Sequence, residues 1–190
     1  DMIASANVMV KDLEMLSADE FRENKVASGS AEDFGGNDDW LKAVSRVGLS
    51  HQHTLTLSGG NMDNNFRVSA DYRKANGIDK RSEREEYGAR ASFNHNSKGG
   101  LFTFMLNMAP RLVKSKSADW HVFHYAIEAN PTTPIHDPSN PSGYFDFTGQ
   151  RADKNPVEII NTELNDHEYK LLDWDATVRL NLMPGLTSQL

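Results

Sequence analysis

The stretch "FRVSADYRKA", Phe66 to Ala75, decides the fold class because its side chains alternate in character. Phe66, Val68, Ala70 and Tyr72 fall on one parity, and Arg67, Ser69, Asp71 and Arg73 fall on the other. Successive side chains of an extended strand point to opposite faces, so this strand has one apolar and one charged face. A soluble sheet buries its apolar face under protein, whereas a membrane barrel exposes it to lipid and turns the charges inward.

The same period-two pattern recurs along the chain. It covers residues 49–58, 87–94, 102–108 and 172–182. These segments run to about ten residues, which is longer than the usual strand of a soluble sheet and close to the length that crosses a bilayer at a tilt. Their connections are short, moderate, short, very long and short, as expected when short turns and long loops lie at opposite rims. The sequence therefore predicts an all-β, antiparallel up-and-down meander.

Composition excludes several classes of protein. The chain has 190 residues, 38% hydrophobic content, a net charge of −7 and no cysteine. No run approaches the ~18 apolar residues of a transmembrane helix, which leaves a barrel open. Disulfides and thiolate chemistry are excluded, and no basic cluster supports nucleic-acid binding. The start, "DMIASANVMV", has no signal-peptide pattern, and we expect the chain to be a piece of a larger protein.

Short helices are predicted in the long connections. Ser17 and Glu20 form a capping box that predicts a helix over about 18–24. A further helical turn is predicted within Trp40 to Val47.

The segment between Val113 and His167 has a helical pattern of its own. "SADWHVFHYAIEAN" predicts a helix with Ser117 as its cap and with Trp120, Phe123 and Ile127 in one stripe. Asn130-Pro131 should end it, because the residue before proline is disfavoured in the α region. Long connections in compact domains are usually functional.

Histidine positions suggest neither catalysis nor a metal site. His121 and His124 have the spacing of a shared metal, with His136 not far on, but no further ligands stand at a recognisable spacing. His51 and His53 lie on the apolar parity, where the membrane interface suits amphipathic rings, and no carboxylate or nucleophile is paired with them. We predict no enzyme, no cofactor and no metal.

Several motifs, in order, resemble one family. The series "LSADEF", "DW", "LTLSGG", a strand ending "NGI", "NPTTPIHDP" and "NPVEII" is similar to the SusC/RagA-like TonB-dependent transporters. The resemblance implies a large outer-membrane barrel of the 22-stranded type, in which about 22 strands enclose a plugged lumen.

The resemblance also implies a placement just after the plug, with residues 1–190 forming the start of the barrel. Residues 7–10 would end the first strand, 11–48 would be an outer loop with a short helix, and 49–112 would hold four strands. Residues 113–167 would be a long extracellular loop with a helix, and 168–190 a further strand and turn. The plug and the TonB box would lie outside this chain.

The implied function is active import of glycans or oligopeptides across the outer membrane of a Gram-negative bacterium. Its partners would be outer-membrane lipid, a SusD-like surface lipoprotein, the TonB complex (through the missing part) and the substrate. In the barrel interpretation the lumen-facing polar residues are Arg67, Asp71, Arg73, Arg90 and Arg179. Aromatic rings stack on sugars and other apolar ligand surfaces, so candidate ligand-binding residues in the long loop are Trp120, Tyr125, Asn130, Asp137, Tyr144 and Phe145.

Two alternatives remain at this stage. One is a soluble secreted β-sandwich that binds carbohydrate through the long loop, and its apolar parity would be covered by a second protein layer. The other is a passive porin.

Overall fold

The computed structural model describes residues 2–7 and 13–190, and a single antiparallel sheet dominates them. Its strands lie in sequence order, each hydrogen-bonded to the next along the chain. They are β1 (Met2–Asn7), β2 (Gly48–Gly60), β3 (Asn64–Asn76), β4 (Glu83–Asn96), β5 (Phe102–Lys116), β6 (Asp166–Met183) and β7 (Leu186–Gln189). The predicted up-and-down meander is therefore confirmed, and the sheet is open.

Short helices stand between the strands. They are α1 (Ala18–Phe21), a π-helical turn (Arg22–Val26), α2 (Trp40–Val44), a 3-10 turn (Lys98–Gly100), α3 (Val122–Glu128) and α4 (Pro156–Thr162). Among the described residues, no helix combines the length and apolar character needed to cross a membrane.

The strands extend further than the alternation of apolar residues predicts. β4 begins at Glu83 rather than Tyr87, and β5 continues to Lys116 rather than ending near Pro110. The long connection is consequently 117–165 rather than 113–167. The physical reason is that the added rungs pair charged residues across strands, as Glu83 pairs with Lys116. Backbone pairing continues there although apolar and polar residues no longer alternate along the strands.

The helix predictions have mixed outcomes. The capping box is confirmed: Ser17 Oγ accepts from the Glu20 N–H, and the Glu20 carboxylate accepts from the Ser17 N–H at 2.8 Å. Helix α2 ends at Val44 rather than Val47, since Ser45 turns into a β-bridge with Asp79. The first predicted strand end, residues 7–10, is described only at its first residue, and residues 8–12 lie outside the described part.

The predicted helix of the long connection is placed wrongly at its start. Helix α3 begins at Val122 without a side-chain cap, not after Ser117. The predicted stripe is wrong at two of its three members: Phe123 packs against the core, but Trp120 precedes the helix and Ile127 is exposed. Val122 and Ala126 are the fully buried residues of this helix. The smaller residues are inward because this face packs closely against α2 and α4.

Helix α4 was not predicted, although "NPVEII" carries its signals. Asn155 caps it by accepting from the N–H groups of Val157 and Glu158, and Pro156 occupies the first helical turn. Asparagine followed by proline and an acidic residue is typical of a helix start.

The antiparallel order sorts the connections by length. The connections of residues 61–63, 97–101 and 184–185 lie at one end of the sheet, and those of 13–47, 77–82 and 117–165 lie at the other. The first of the tight turns needs glycine, because Gly60 has φ of +134° and a Cβ there would overlap the carbonyl of Asn64.

Candidate functional site

The three connections at the second end of the sheet form one packed body. We call it the loop unit and define it as residues 13–47, 77–82 and 117–165. Its core contains Trp40 and Val44 of α2, Val122 and Ala126 of α3, and Phe147, Ile159 and Ile160 nearby. The indole ring of Trp40 meets Phe147 edge-on, with ring centroids 5.3 Å apart. Such aromatic contacts add stability beyond the burial of apolar area.

Hydrogen bonds join the first connection to the third. The indole N–H of Trp40 donates to the Asn130 carbonyl at 3.2 Å. The Gly36 N–H donates to the Thr132 carbonyl at 2.6 Å, and the Ile135 N–H donates to Asp38 at 3.1 Å. The two connections are therefore held together along their length rather than at one contact.

The second connection is joined to the first by Arg46. Its guanidinium donates to the carbonyls of Gly77 and Ser82, at 3.2 and 2.7 Å. Arg81, in the same connection, donates to Asp166 at 2.7 Å and so ties the unit to the start of β6. All three connections thus share contacts that none could make alone.

An ion pair fixes the fold of the first connection. Arg22 donates to both carboxylate oxygens of Asp33, at 2.9 and 3.3 Å, and to the Gly36 carbonyl at 2.6 Å. The bonds from Arg22 lower the pKa of Asp33, so this carboxylate stays ionised at pH values where a free one is partly protonated.

The predicted ligand-binding residues do not gather at one place. Trp120 is the most open, with 82% of its surface exposed and its ring centroid 3.5 Å from that of His121. Tyr125 lies beside the same His121 ring, half-buried against the core of the loop unit. These neighbours form an aromatic surface with one free face on Trp120.

The remaining predicted residues have local structural contacts. Asn130 donates to the Glu32 carbonyl, and Asp137 accepts from Ser139. Tyr144 accepts from the Asn161 side-chain amide at 2.9 Å. Phe145 packs against Phe34 and partly lines the core. Their roles as ligand contacts stay predictions.

A groove of about 1040 Å³ opens on the loop unit between α1 and α3. Its apolar lining includes Leu16, Phe21, Phe34 and Ile127, and its polar lining includes Glu32, Asn130 and Arg151. Within the described residues, no group of three or more His, Cys, Asp or Glu side chains is placed to hold a metal ion.

The two faces of the sheet keep the separation that the sequence shows. On the apolar parity, Leu55, Trp174 and Leu182 are 76%, 66% and 56% exposed, and no second layer of the described chain covers this face. The residues predicted to face the lumen, Arg67, Asp71, Arg73, Arg90 and Arg179, lie together on the opposite side according to the strand register.

The apolar face ends in aromatic rings on the side of the loop unit. Tyr72 and Tyr87 are cross-strand neighbours with ring centroids 5.0 Å apart, and the His53 ring stacks on Tyr72. His51, on the same parity, lies against His53 and Tyr72.

Beyond these rings, the same face becomes charged. Lys74 pairs with Glu85 at 2.9 Å, and Lys116 pairs with Glu83 at 2.8 Å. Ion pairs of this kind belong in water or among lipid headgroups rather than in hydrocarbon.

Sequence reasoning missed a charged cluster on the opposite face. Arg84, Glu86 and Arg111 share the lumen parity with Arg73, and Glu86 accepts from Arg84 at 2.6 Å. The alternation of apolar residues stops before these positions, since Glu83 to Glu86 are all charged, so the sequence offered no signal for the cluster.

No family model matches the chain, whereas curated proteins and solved structures include similar ones. The chain is 28% identical over 144 residues to the TonB-dependent receptor SusC of Bacteroides thetaiotaomicron. This match covers 73% of the chain and 14% of the receptor.

The fold is similar to a solved structure of the RagAB peptide importer in its closed-closed state. The TM-score is 0.61 at 16% identity, over 90% of this chain and 21% of the matched chain. The chain therefore spans a minor part of the length of both proteins.

The matched proteins are a receptor and an importer, not enzymes, in agreement with the absence of a predicted reaction. The sequence match and the fold match point to the same group as the motifs of the sequence. The chain is therefore similar to a segment of the TonB-dependent receptor SusC in sequence and to a segment of the RagAB peptide importer in fold, and it forms an open antiparallel sheet with its connecting loops.

Proposed function

We propose that the chain is part of an active, TonB-dependent importer of oligopeptides or glycans in the outer membrane of a Gram-negative bacterium. In this proposal the sheet is a stretch of the barrel wall and the loop unit faces the cell exterior. The relatives support it, since one is a TonB-dependent receptor and the other a peptide importer. A SusD-like lipoprotein over the loop unit and the TonB complex on the inner side are the proposed partners.

The uncovered apolar face is the observation that carries the proposal. On β6, the outward residues from Leu172 to Leu182 extend about 33 Å along the strand at ~3.3 Å per residue. A strand tilt of about 40° reduces this to about 25 Å, the height of the apolar band of an outer-membrane barrel. The tyrosines at its end stand where barrels carry an aromatic girdle.

The soluble β-sandwich is disfavoured by the same face. A sandwich requires a second sheet on the apolar side, and the described residues of this chain provide none. An exposed apolar face of this size in water would lead to association or aggregation.

The exposed aromatic surface of Trp120 and Tyr125, together with the groove between α1 and α3, is the proposed ligand-facing part of the loop unit. Aromatic faces and an apolar groove with a few polar groups suit peptides and sugars alike. The uptake experiment described next distinguishes between peptide and sugar substrates.

Uptake by cells tests the proposal. We expect a strain that lacks the full-length protein to lose uptake of at least one labelled oligopeptide or oligosaccharide from a panel, and complementation to restore it. A protonophore should abolish this uptake, because TonB-driven transport depends on the energised inner membrane. Uptake that persists in the presence of the protonophore would favour a passive porin, and unchanged uptake across the whole panel would contradict import.

A further inference from the structure

The charged cluster on the lumen-parity face has more positive than negative groups. Arg73, Arg84 and Arg111, from three adjacent strands, all lie within 4 Å of the carboxylate of Glu86. Glu86 itself is largely covered, with its side chain 13% exposed. One carboxylate therefore stands among three guanidinium groups.

The contacts leave two of these guanidinium groups with capacity to donate. Arg84 makes a hydrogen bond to Glu86 at 2.6 Å. Arg73 and Arg111 approach the same carboxylate only to 3.9 and 3.8 Å, which is beyond hydrogen-bond distance. Their side chains are 51% and 40% exposed, so both guanidinium groups are accessible on this face of the sheet.

The nearest other acid on this face, Asp71, shares a cross-strand row with Gly88 and Arg111 but makes no close ion pair with the arginines. Asp71 lies two residues before Arg73, and its carboxylate rests against Gly88. Within the described residues, it makes no ion pair with Arg73 or Arg111 at 4 Å or less. The cluster keeps its positive excess within a chain whose net charge is −7.

The cluster lies at the end of the sheet that carries the loop unit. Glu86 is the cross-strand neighbour of Arg73 on one side and of Val113 on the other, and Val113 is buried. A ligand that passes the loop unit into the lumen would meet this part of the wall first.

We propose that Arg73 and Arg111 form a docking point for a carboxylate of the imported ligand, with Arg84 and Glu86 holding the pair in place. The planar guanidinium group matches a carboxylate in two-point hydrogen bonding, and two such groups on neighbouring strands can hold one carboxylate between them. The carboxylate can come from an acidic peptide or from a uronic-acid glycan. This inference rests on the proposed function and adds a preference for acidic ligands.

The test removes the two charges and compares matched ligands. The full-length transporter carrying Arg73→Gln and Arg111→Gln is assayed for uptake of an acidic peptide and of its amidated analogue, and of a uronic-acid oligosaccharide and its neutral counterpart. We expect uptake of the carboxylated member of the transported pair to fall by on the order of tenfold, as for the loss of a charge-assisted pair. The neutral member should be unaffected, and the pair that responds identifies the source of the carboxylate.

The matched control is Lys114→Gln with Lys170→Gln, which removes the same charge from the opposite face of the same end of the sheet. It should leave the preference unchanged. The conservative Arg73→Lys with Arg111→Lys should restore part of the preference, because it keeps the charge without the planar fork. Surface abundance and thermal unfolding show whether each variant is folded.

Equal losses for acidic and neutral ligands in a folded variant would overturn the proposal, as would no loss for either. If the wild-type protein imports none of these ligands, the proposed function fails on that panel. Binding of a fluorescent acidic peptide to the purified full-length protein then tests the docking point separately: binding weakened by the glutamine variant supports it, and binding unchanged by the variant contradicts it.

Discussion

Gly88 illustrates how a single residue shapes the lumen-parity face. A Cβ at this position would lie 2.6 Å from the carboxylate oxygens of Asp71, which rest over the strand. Glycine usually weakens a strand because it gives the ladder no side chain to pack. Here it makes room for a charged side chain to lie flat beside the arginine cluster.

We expect Gly88→Ala to destabilise the full-length protein by less than about 1 kcal/mol, because the new methyl group meets only the end of the Asp71 side chain, which can move aside. Adding Asp71→Ala should recover most of the loss, because it removes the atoms that the new methyl group would meet. Thermal unfolding of the purified protein in detergent measures both variants. A loss that persists in the double variant would show that the carboxylate is not the cause.

The helices of the loop unit depend on their caps to different degrees. Asn155 is 2% exposed, and besides capping α4 its side-chain amide donates to the Ile135 carbonyl at 2.9 Å. Ser17 caps α1 in an exposed position, and within the described part of the chain its side chain hydrogen-bonds to Glu20 alone. Removing Asn155 therefore takes bonds away from buried backbone groups, whereas removing the Ser17 side chain takes one away from an exposed N–H group.

We expect Asn155→Ala to cost about 1–2 kcal/mol, since it removes a buried helix cap and one of the two donors to the Ile135 carbonyl, which keeps the Phe145 N–H. Ser17→Ala, the exposed counterpart, should cost about 1 kcal/mol or less. Asn155→Asp keeps the cap and loses the donor, so its effect should fall between them. Amide hydrogen exchange across residues 117–165 is the measurement, and equal protection in all three variants would contradict the assignment.

The proposed barrel wall differs from a soluble sheet in where a charge can be placed. Ala176 lies on the uncovered apolar parity near the middle of β6, and Thr177 lies on the opposite parity. The two neighbours are a matched pair for asking which face contacts lipid.

We expect Ala176→Arg to destabilise the barrel by about 2–4 kcal/mol, the penalty for arginine at the bilayer midplane. Thr177→Arg should have little effect, because its side chain points toward the polar side. Unfolding in denaturant, followed by loss of the folded form on gel electrophoresis, compares them. The reverse order would place lipid on the other face.

Period-two alternation predicted the strands because each apolar row repeats along the strand, as in the run from Phe66 to Tyr72. The alternation did not predict the ends of β4 and β5, because charged pairs such as Glu83 with Lys116 face each other there and do not alternate with apolar residues. The core of the loop unit could not be predicted from the sequence for another reason. Trp40 and Phe147 are more than a hundred residues apart in the sequence, and neither segment has a local pattern that predicts contact with the other.

At the scale of the whole molecule, the connections divide into two ends with different character. One end has tight turns, and the other has the loop unit with its own buried core. In the proposed orientation the loop unit faces the exterior and the tight turns face the periplasm. The chain has no cysteine, so introduced cysteines can report which end is outside.

We expect Asp153→Cys, in the loop unit, to react with a membrane-impermeant maleimide on intact cells in a full-length background free of other cysteines. Lys98→Cys, in an exposed turn at the opposite end, should react only after the outer membrane is permeabilised. Labelling of Lys98→Cys alone on intact cells would invert the proposed orientation, and equal labelling of both would argue against a membrane barrier between them.

The shared core of the loop unit has a consequence for how such proteins diversify. Because α2, α3 and α4 bury one another, exchanging only the first or only the third connection with that of a relative would leave a cavity around Trp40 or Phe147. A viable chimera would have to transplant these two connections together. Changes in specificity are then easiest at exposed positions such as Trp120, which can mutate without disturbing the packing beneath them.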